Sequence, residues 1–108
     1  MTASKARALF EPLMEKLLDR PGVTSGTGFG SNPGLRVGGK IFSMVSQGGL
    51  VVKLPRERVS ALVETGKGAR FDAGRGRLMS EWVVVPATRK ALWEPLVEEA
   101  FSFVSLKK

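Results

Sequence analysis

Apolar residues at the start of the chain recur at helical intervals. In KARALFEPLMEKLLDR (5–20), Leu9, Leu13 and Leu17, with Phe10 and Met14, line one face, charges occupy the other, and Pro21-Gly22 marks the stop. This spacing predicts an amphipathic helix. Pro12 removes a backbone donor and crowds the preceding turn, which predicts a kink there or a helix start closer to Glu11. From Val23 to Pro33 the glycine-rich text predicts an extended edge segment that loosens into a loop at Ser31-Asn32-Pro33. LRV and KIFSMV are then β-prone runs joined by Gly38-Gly39, two residues that accept positive φ, the pattern of a tight hairpin. Ser46-Gln47-Gly48-Gly49 predicts a second turn, and LVVKL (50–54) a third antiparallel strand.

Pro55 suits a first helical position, and RERVSALVE buries Val59, Leu62 and Val63, with Gly66 where a left-handed cap belongs. GKGARFDAGRGR (66–77) predicts a short strand over Ala69–Asp72 and a basic turn. MSEWVVV (79–85) predicts a further strand, ended by Pro86. TRKALWEPLVEEAFSFV is helical again, with Leu92, Leu96, Val97, Ala100, Phe101 and Val104 inward and Pro95 as a second awkward proline. The terminal helices share spelling, ALFEPLMEKLL against ALWEPLVEEAF, but the strands do not repeat, so this reads as two uses of one helix type rather than a duplication. Strands cluster instead of alternating with helices. That order predicts one α+β domain over 1–108: an antiparallel sheet, a meander plus a second hairpin, with N-terminal, central and C-terminal helices.

With 108 residues, 43% of them apolar, the chain has material for one core. No apolar run reaches the 18 residues of a membrane span, and MTASKARALFEPL has charges and a proline where a signal peptide has its apolar centre. A cytoplasmic protein without membrane contact is expected. Histidine and cysteine are both absent, which removes disulfides, thiolate nucleophiles, zinc ribbons, histidine triads and HExxH metal sites. The expectation is a non-enzymatic protein with no cofactor and no metal.

GLRVGGKI (34–41) spells most of a phosphate loop, yet Ile41 stands where Ser or Thr would hold magnesium, the spacers are strand formers, and another strand follows where a helix is needed. It is a hairpin turn. GTGFG (26–30) fails similarly, since Ser31 replaces the third glycine and no helix follows. Among the acidic residues Glu81 stands out, inside a strand beside Trp82 and on the face of Met79 and Val83 in regular alternation. Its functional reading is an acid, base or ligand group. The structural one is an edge position or a cross-strand ion pair with an arginine or lysine such as Arg70.

The formal charge is +7, and between positions 53 and 77 seven basic residues face only Glu57, Glu64 and Asp72. Such a surplus serves solubility or attracts a polyanion. The glycines of 66–77 would let backbone and guanidinium groups approach phosphates, which makes Lys53, Arg56, Lys67, Arg70, Arg75 and Arg77 the candidate nucleic-acid contacts. Stacking platforms are scarce: there is no tyrosine, and Phe42, Phe71 and Trp82 read as core.

Taken together, the LRVGGKIF hairpin, the third strand bearing Lys53 and the Met79-Ser80-Glu81-Trp82 strand resemble the TfoX/Sxy N-terminal domain family and its YjbR/MmcQ-like relatives over residues 5–105. The resemblance implies a curved antiparallel sheet with flanking helices, no known enzymatic activity, and an association with regulation and DNA binding. Full-length competence regulators carry a further C-terminal domain; none is expected from these 108 residues, and so no competence role is expected. Two functions are therefore expected as alternatives: a regulatory module holding DNA or another polyanion by its backbone, or a protein-interaction or chaperone-like module using a sheet edge or apolar groove.

Overall fold

In the computed structural model, which describes residues 2–27, 33–46, 49–72 and 78–106, the sheet grows outward from the Gly38-Gly39 turn. Both glycines take positive φ, 59° and 81°, as a two-residue hairpin matched to strand twist requires. Arg36 ties the turn down, its Nη1 donating to the Gly39 carbonyl at 3.2 Å. The turn joins β2 (Pro33–Val37) to β3 (Lys40–Ser46). On one side β1 (Val23–Thr27) pairs with β2 at the sheet edge; on the other β4 (Gly49–Lys53) pairs with β3. The expected meander is thus present.

The remaining strands, β5 (Ala69–Asp72) and β6 (Leu78–Pro86), extend the same sheet. The longer β6 inserts next to β4 and leaves β5 outside it, giving the antiparallel order β1-β2-β3-β4-β6-β5. Two glycines allow this insertion. A Cβ on Gly49 would lie 2.7 Å from the Val85 carbonyl oxygen, and one on Gly68 would lie 2.8 Å from that of Val84. β6 is therefore flanked at Val84-Val85 by two residues without side chains.

Helices α1 (Thr2–Leu18), α2 (Arg56–Glu64) and α3 (Trp93–Leu106) all pack on one face. Phe10 and Leu17 of α1, Val59 and Leu62 of α2, and Trp93, Leu96, Val97, Ala100 and Val104 of α3 share a cluster with Leu35, Phe42, Leu50, Val52, Val83 and Val85 of the sheet. α1 and α3 cover the meander, and α2 covers β5 and β6. Helices segregated to one face of an antiparallel sheet make this an α+β fold, as the element order predicts. None is long and apolar enough to cross a membrane, among the described residues.

The two prolines occupy different places in their helices. α1 runs from Thr2 through Pro12, so it does not begin near Glu11. Pro95 is the third residue of α3, where the amide has no partner within the helix in any case. A 3₁₀ segment, Ala87–Leu92, with Arg89 off helical values (φ −110°, ψ 34°), precedes α3, and the Trp93 indole N–H anchors the junction on the Pro86 carbonyl at 3.2 Å. α2 ends as expected at Gly66 (φ +74°), whose N–H bonds Val63 O while that of Lys67 bonds Leu62 O, a Schellman cap.

The other sheet face carries a second apolar cluster. Met44, Val51, Phe71 and Trp82 are buried there, with Ile41, Met79 and Val84 packed against them. All seven residues lie on strands; no described helix contributes. Two irregularities divide the side chains between faces. At Leu35/Arg36 the register shifts so that Phe42 is the extra residue on β3, which turns both Phe42 and Ser43 to the helix face and Met44 to the other. On β6 the partners run from Arg70↔Val83 to Asp72↔Leu78, and the inserted residues separate Met79 from Val83: they join opposite clusters. Regular alternation from Met79 through Glu81 to Val83 is therefore corrected.

Candidate functional site around helix α2

The described candidate cations fall at the two ends of α2. Lys53 closes β4 and Arg56 opens the helix; Lys67 follows its cap and Arg70 lies on β5. Nine helical residues at 1.5 Å each separate the two ends by roughly 13 Å. Arg75 and Arg77 lie outside the described residues.

Lys53 and Arg70 project to opposite sheet faces. Directly opposed residues share a face, and Lys53 pairs with Trp82 of the second cluster, whereas Arg70 pairs with Val83 of the helix-covered core. The Lys53 ammonium sits 5.7 Å from the Trp82 ring centroid and 3.9 Å from Glu81 Oε1. Glu81 thus has the cross-strand basic partner expected of a structural carboxylate, but that partner is Lys53. Arg70 turns instead to α2, its Nη2 donating to Ser60 Oγ at 2.9 Å. Arg56 and Lys67 are exposed and have no partner among the described residues.

Elsewhere the described ion pairs gather on α3, while Glu11, Glu15, Asp19, Glu57 and Glu64 are exposed. Three glutamates of α3 clamp it to its neighbours: Glu94 to Lys16, Glu98 to Arg20 and Glu99 to Arg58. Arg20 Nη2 lies 2.6 Å from both Glu98 oxygens, and its guanidinium is 5.3 Å from the Phe101 ring centroid. The cations left exposed without a described partner include Arg56, Lys67, Lys40, Arg89 and Lys90.

Each end of α2 borders an open depression of ≈ 340 Å³. One is lined by Pro55, Arg56, Glu57, Ser80, Glu81 and Phe103. It mixes charge of both signs. The other, lined by Gly66, Gly68, Ala69, Arg70, Val84 and Pro86, is mainly apolar with Arg70 on its wall. Ser43, the remaining polar singularity, is fully buried on the helix face, and its hydroxyl has no hydrogen-bond partner.

The missed features are of two kinds. The pairing of Lys53 with Glu81 depends on which strand neighbours β4, and nothing local encodes that β6 inserts there. The edge position of β5 follows from the same insertion. A signal for the second cluster was present: LVV and WVVV are apolar at consecutive positions, as in strands buried on both faces.

A family model described as YjbR matches residues 18–103. No curated protein and no solved structure matches the chain. Because the match takes in every strand, α2 and most of α3, the chain belongs to the YjbR family.

Proposed function

We propose that this chain is a non-enzymatic regulatory module, akin to TfoX N-terminal domains and acting in the cytoplasm, that holds DNA or another polyanion by its phosphate backbone. One observation carries the reading: α3's glutamates pair with Lys16, Arg20 and Arg58, which leaves Arg56 and Lys67, at the ends of α2 beside Glu57 and Glu64, among the exposed cations without a described partner. Arg70 supports the Lys67 end, and Arg75 and Arg77 follow it in sequence. Lys53 is the weakest contributor, because Glu81 and Trp82 already engage its ammonium.

Binding of this kind releases counterions. With four phosphate contacts, affinity falls with salt at a logarithmic slope of about −3.6, or roughly 10²-fold between about 50 and 200 mM. Anisotropy titrations of labelled duplex and single-stranded DNA test this, and the double variant Arg56→Ala/Lys67→Ala flattens the slope by about 2. Absence of binding at the lower salt overturns the proposal.

A second reading, a protein-interaction module, is favoured by a separate observation. The sheet ends at the edge strand β5, whose outer side no described strand pairs, beside a mainly apolar depression. Its target is a protein segment, and nuclease treatment leaves its complex intact.

A further inference from the structure

We infer that the depression between α1 and the turn leading into α3 binds a small carboxylate with an apolar body. The site is separate from the ends of α2 and depends on neither reading above.

Lys16 pairs with Glu94 and Arg20 with Glu98, and both pairs span 78 residues. A step of four along α1 thus matches a step of four along α3, about one helical turn on each, so the two helices run side by side in the same direction. In each pair α1 supplies the cation and α3 the acid. One turn back, the same spacing sets Pro12 against Lys90, and the pattern breaks. The cation now stands on the α3 side, and α1 offers a ring with neither charge nor N–H. Lys90 is exposed and has no partner among the described residues. Glu94, the acid one turn along its own chain, is held by Lys16. Glu11 and Glu15 are exposed and do not line the depression, and no acidic residue precedes Glu11 in the chain. The ladder of ion pairs therefore ends on an unmatched ammonium.

An open depression of ≈ 340 Å³ lies at this third position, walled by Leu9, Pro12 and Leu13 of α1 and by the Lys90–Glu94 turn across from them. Leu9 and Leu13 are half-buried. Trp93 has its indole N–H bonded to the Pro86 carbonyl, so what it adds to the wall is apolar ring.

Size, charge and lining choose the occupant together. The volume is at the small end of the range for small-molecule sites. One ammonium, with no second cation on the wall, matches one carboxylate, whereas a phosphate takes several donors and meets Glu94 beside it. The leucines, the proline and the indole cover a hydrocarbon body that a bare inorganic anion lacks.

Titration of the full chain with hexanoate, followed by NMR shifts of the Leu13 and Ala91 amides and the Trp93 indole, tests the inference. Saturable binding with a Kd of about 1 mM is expected, with hexanol and acetate each about tenfold weaker. Lys90→Ala should weaken hexanoate about tenfold, and Lys90→Arg should retain it. Pro12→Glu sets a carboxylate opposite Lys90 and should abolish binding, while Pro12→Ala, at the same exposed position, should preserve it. Urea midpoints confirm that each variant is folded.

Hexanol binding as tightly as hexanoate, or an unchanged Kd in Lys90→Ala, would show that no carboxylate is recognised and overturn the inference. Acetate matching hexanoate reduces the site to an adventitious ion on an exposed lysine. Equal loss in Pro12→Ala and Pro12→Glu refutes the pairing of position 12 with Lys90. Displacement of hexanoate by duplex DNA assigns Lys90 to a polyanion surface, and the carboxylate site falls.

Discussion

Ser43→Ala is expected to stabilise this protein. The Ser43 side chain is fully buried on the helix face, set between its ladder partners Leu35 on β2 and Val52 on β4, and its hydroxyl makes no hydrogen bond. A hydroxyl bonded to water in the unfolded chain and to nothing in the folded one costs about 1–3 kcal/mol. Alanine removes that cost and leaves a void smaller than a methyl group, worth less than about 1 kcal/mol. The net gain is about 1 kcal/mol, which for a domain near 100 residues raises Tm by about 4–8 °C. Urea titration measures it directly: Trp82 and Trp93 are both buried and report unfolding by fluorescence. The midpoint should rise with an unchanged m-value. Ser43→Thr keeps the hydroxyl and adds a methyl to a filled site, so it should lower the midpoint. A loss of about 1 kcal/mol or more in Ser43→Ala would mean that the hydroxyl is bonded in solution and that the orphan argument is wrong.

Gly49→Ala drives a Cβ to 2.7 Å from the Val85 carbonyl oxygen, a backbone atom that cannot yield without moving β6, so a loss of about 1–3 kcal/mol is expected by urea denaturation. Gly38→Ala meets nothing within 4 Å and bears only the positive-φ penalty, about 1–2 kcal/mol, with no change in ladder protection by hydrogen exchange. Arg20→Ala removes the two-oxygen contact with Glu98 and the stacking on Phe101; with the side chain 40% exposed, the cost should be about 1 kcal/mol and should shrink at high salt. Glu81→Gln should leave the fold intact and weaken the hold on Lys53, a change read from the fluorescence of Trp82, on whose ring the ammonium sits. An unaltered Trp82 signal in that variant would show that Glu81 does not position Lys53.

What could be read from the sequence was what is encoded locally. Gly38-Gly39 and Gly66 occupy the positive-φ positions their contexts demand, and the helix stripes of Phe10, Leu17, Val59, Leu62, Leu96 and Val97 point into the core. Pairing between distant segments was not encoded in this way. That β6 joins β4 depends on two valine-rich strands matching over their length and on Gly49 and Gly68 allowing close approach, a property of the assembled sheet. Met79 and Val83 do not share a face because strict alternation fails where residues are inserted into β6. The basic residues were legible as a set along the chain, but only the fold separates Lys53, held by Glu81 and Trp82, from the exposed Arg56 and Lys67.

The three glutamate clamps of α3 bear on how the molecule is made. Residues 1–92 contain 15 basic and 7 acidic residues, a net +8, whereas Glu94, Glu98 and Glu99 arrive only with the last helix. The same helix brings Trp93, Leu96, Val97, Ala100 and Val104, which close the apolar face over β3 and β4. During synthesis, then, a strongly cationic sheet with its apolar face open emerges first, beside the polyanionic RNA of the ribosome. Closure of the core and neutralisation of Lys16, Arg20 and Arg58 become a single late event, set by the emergence of α3.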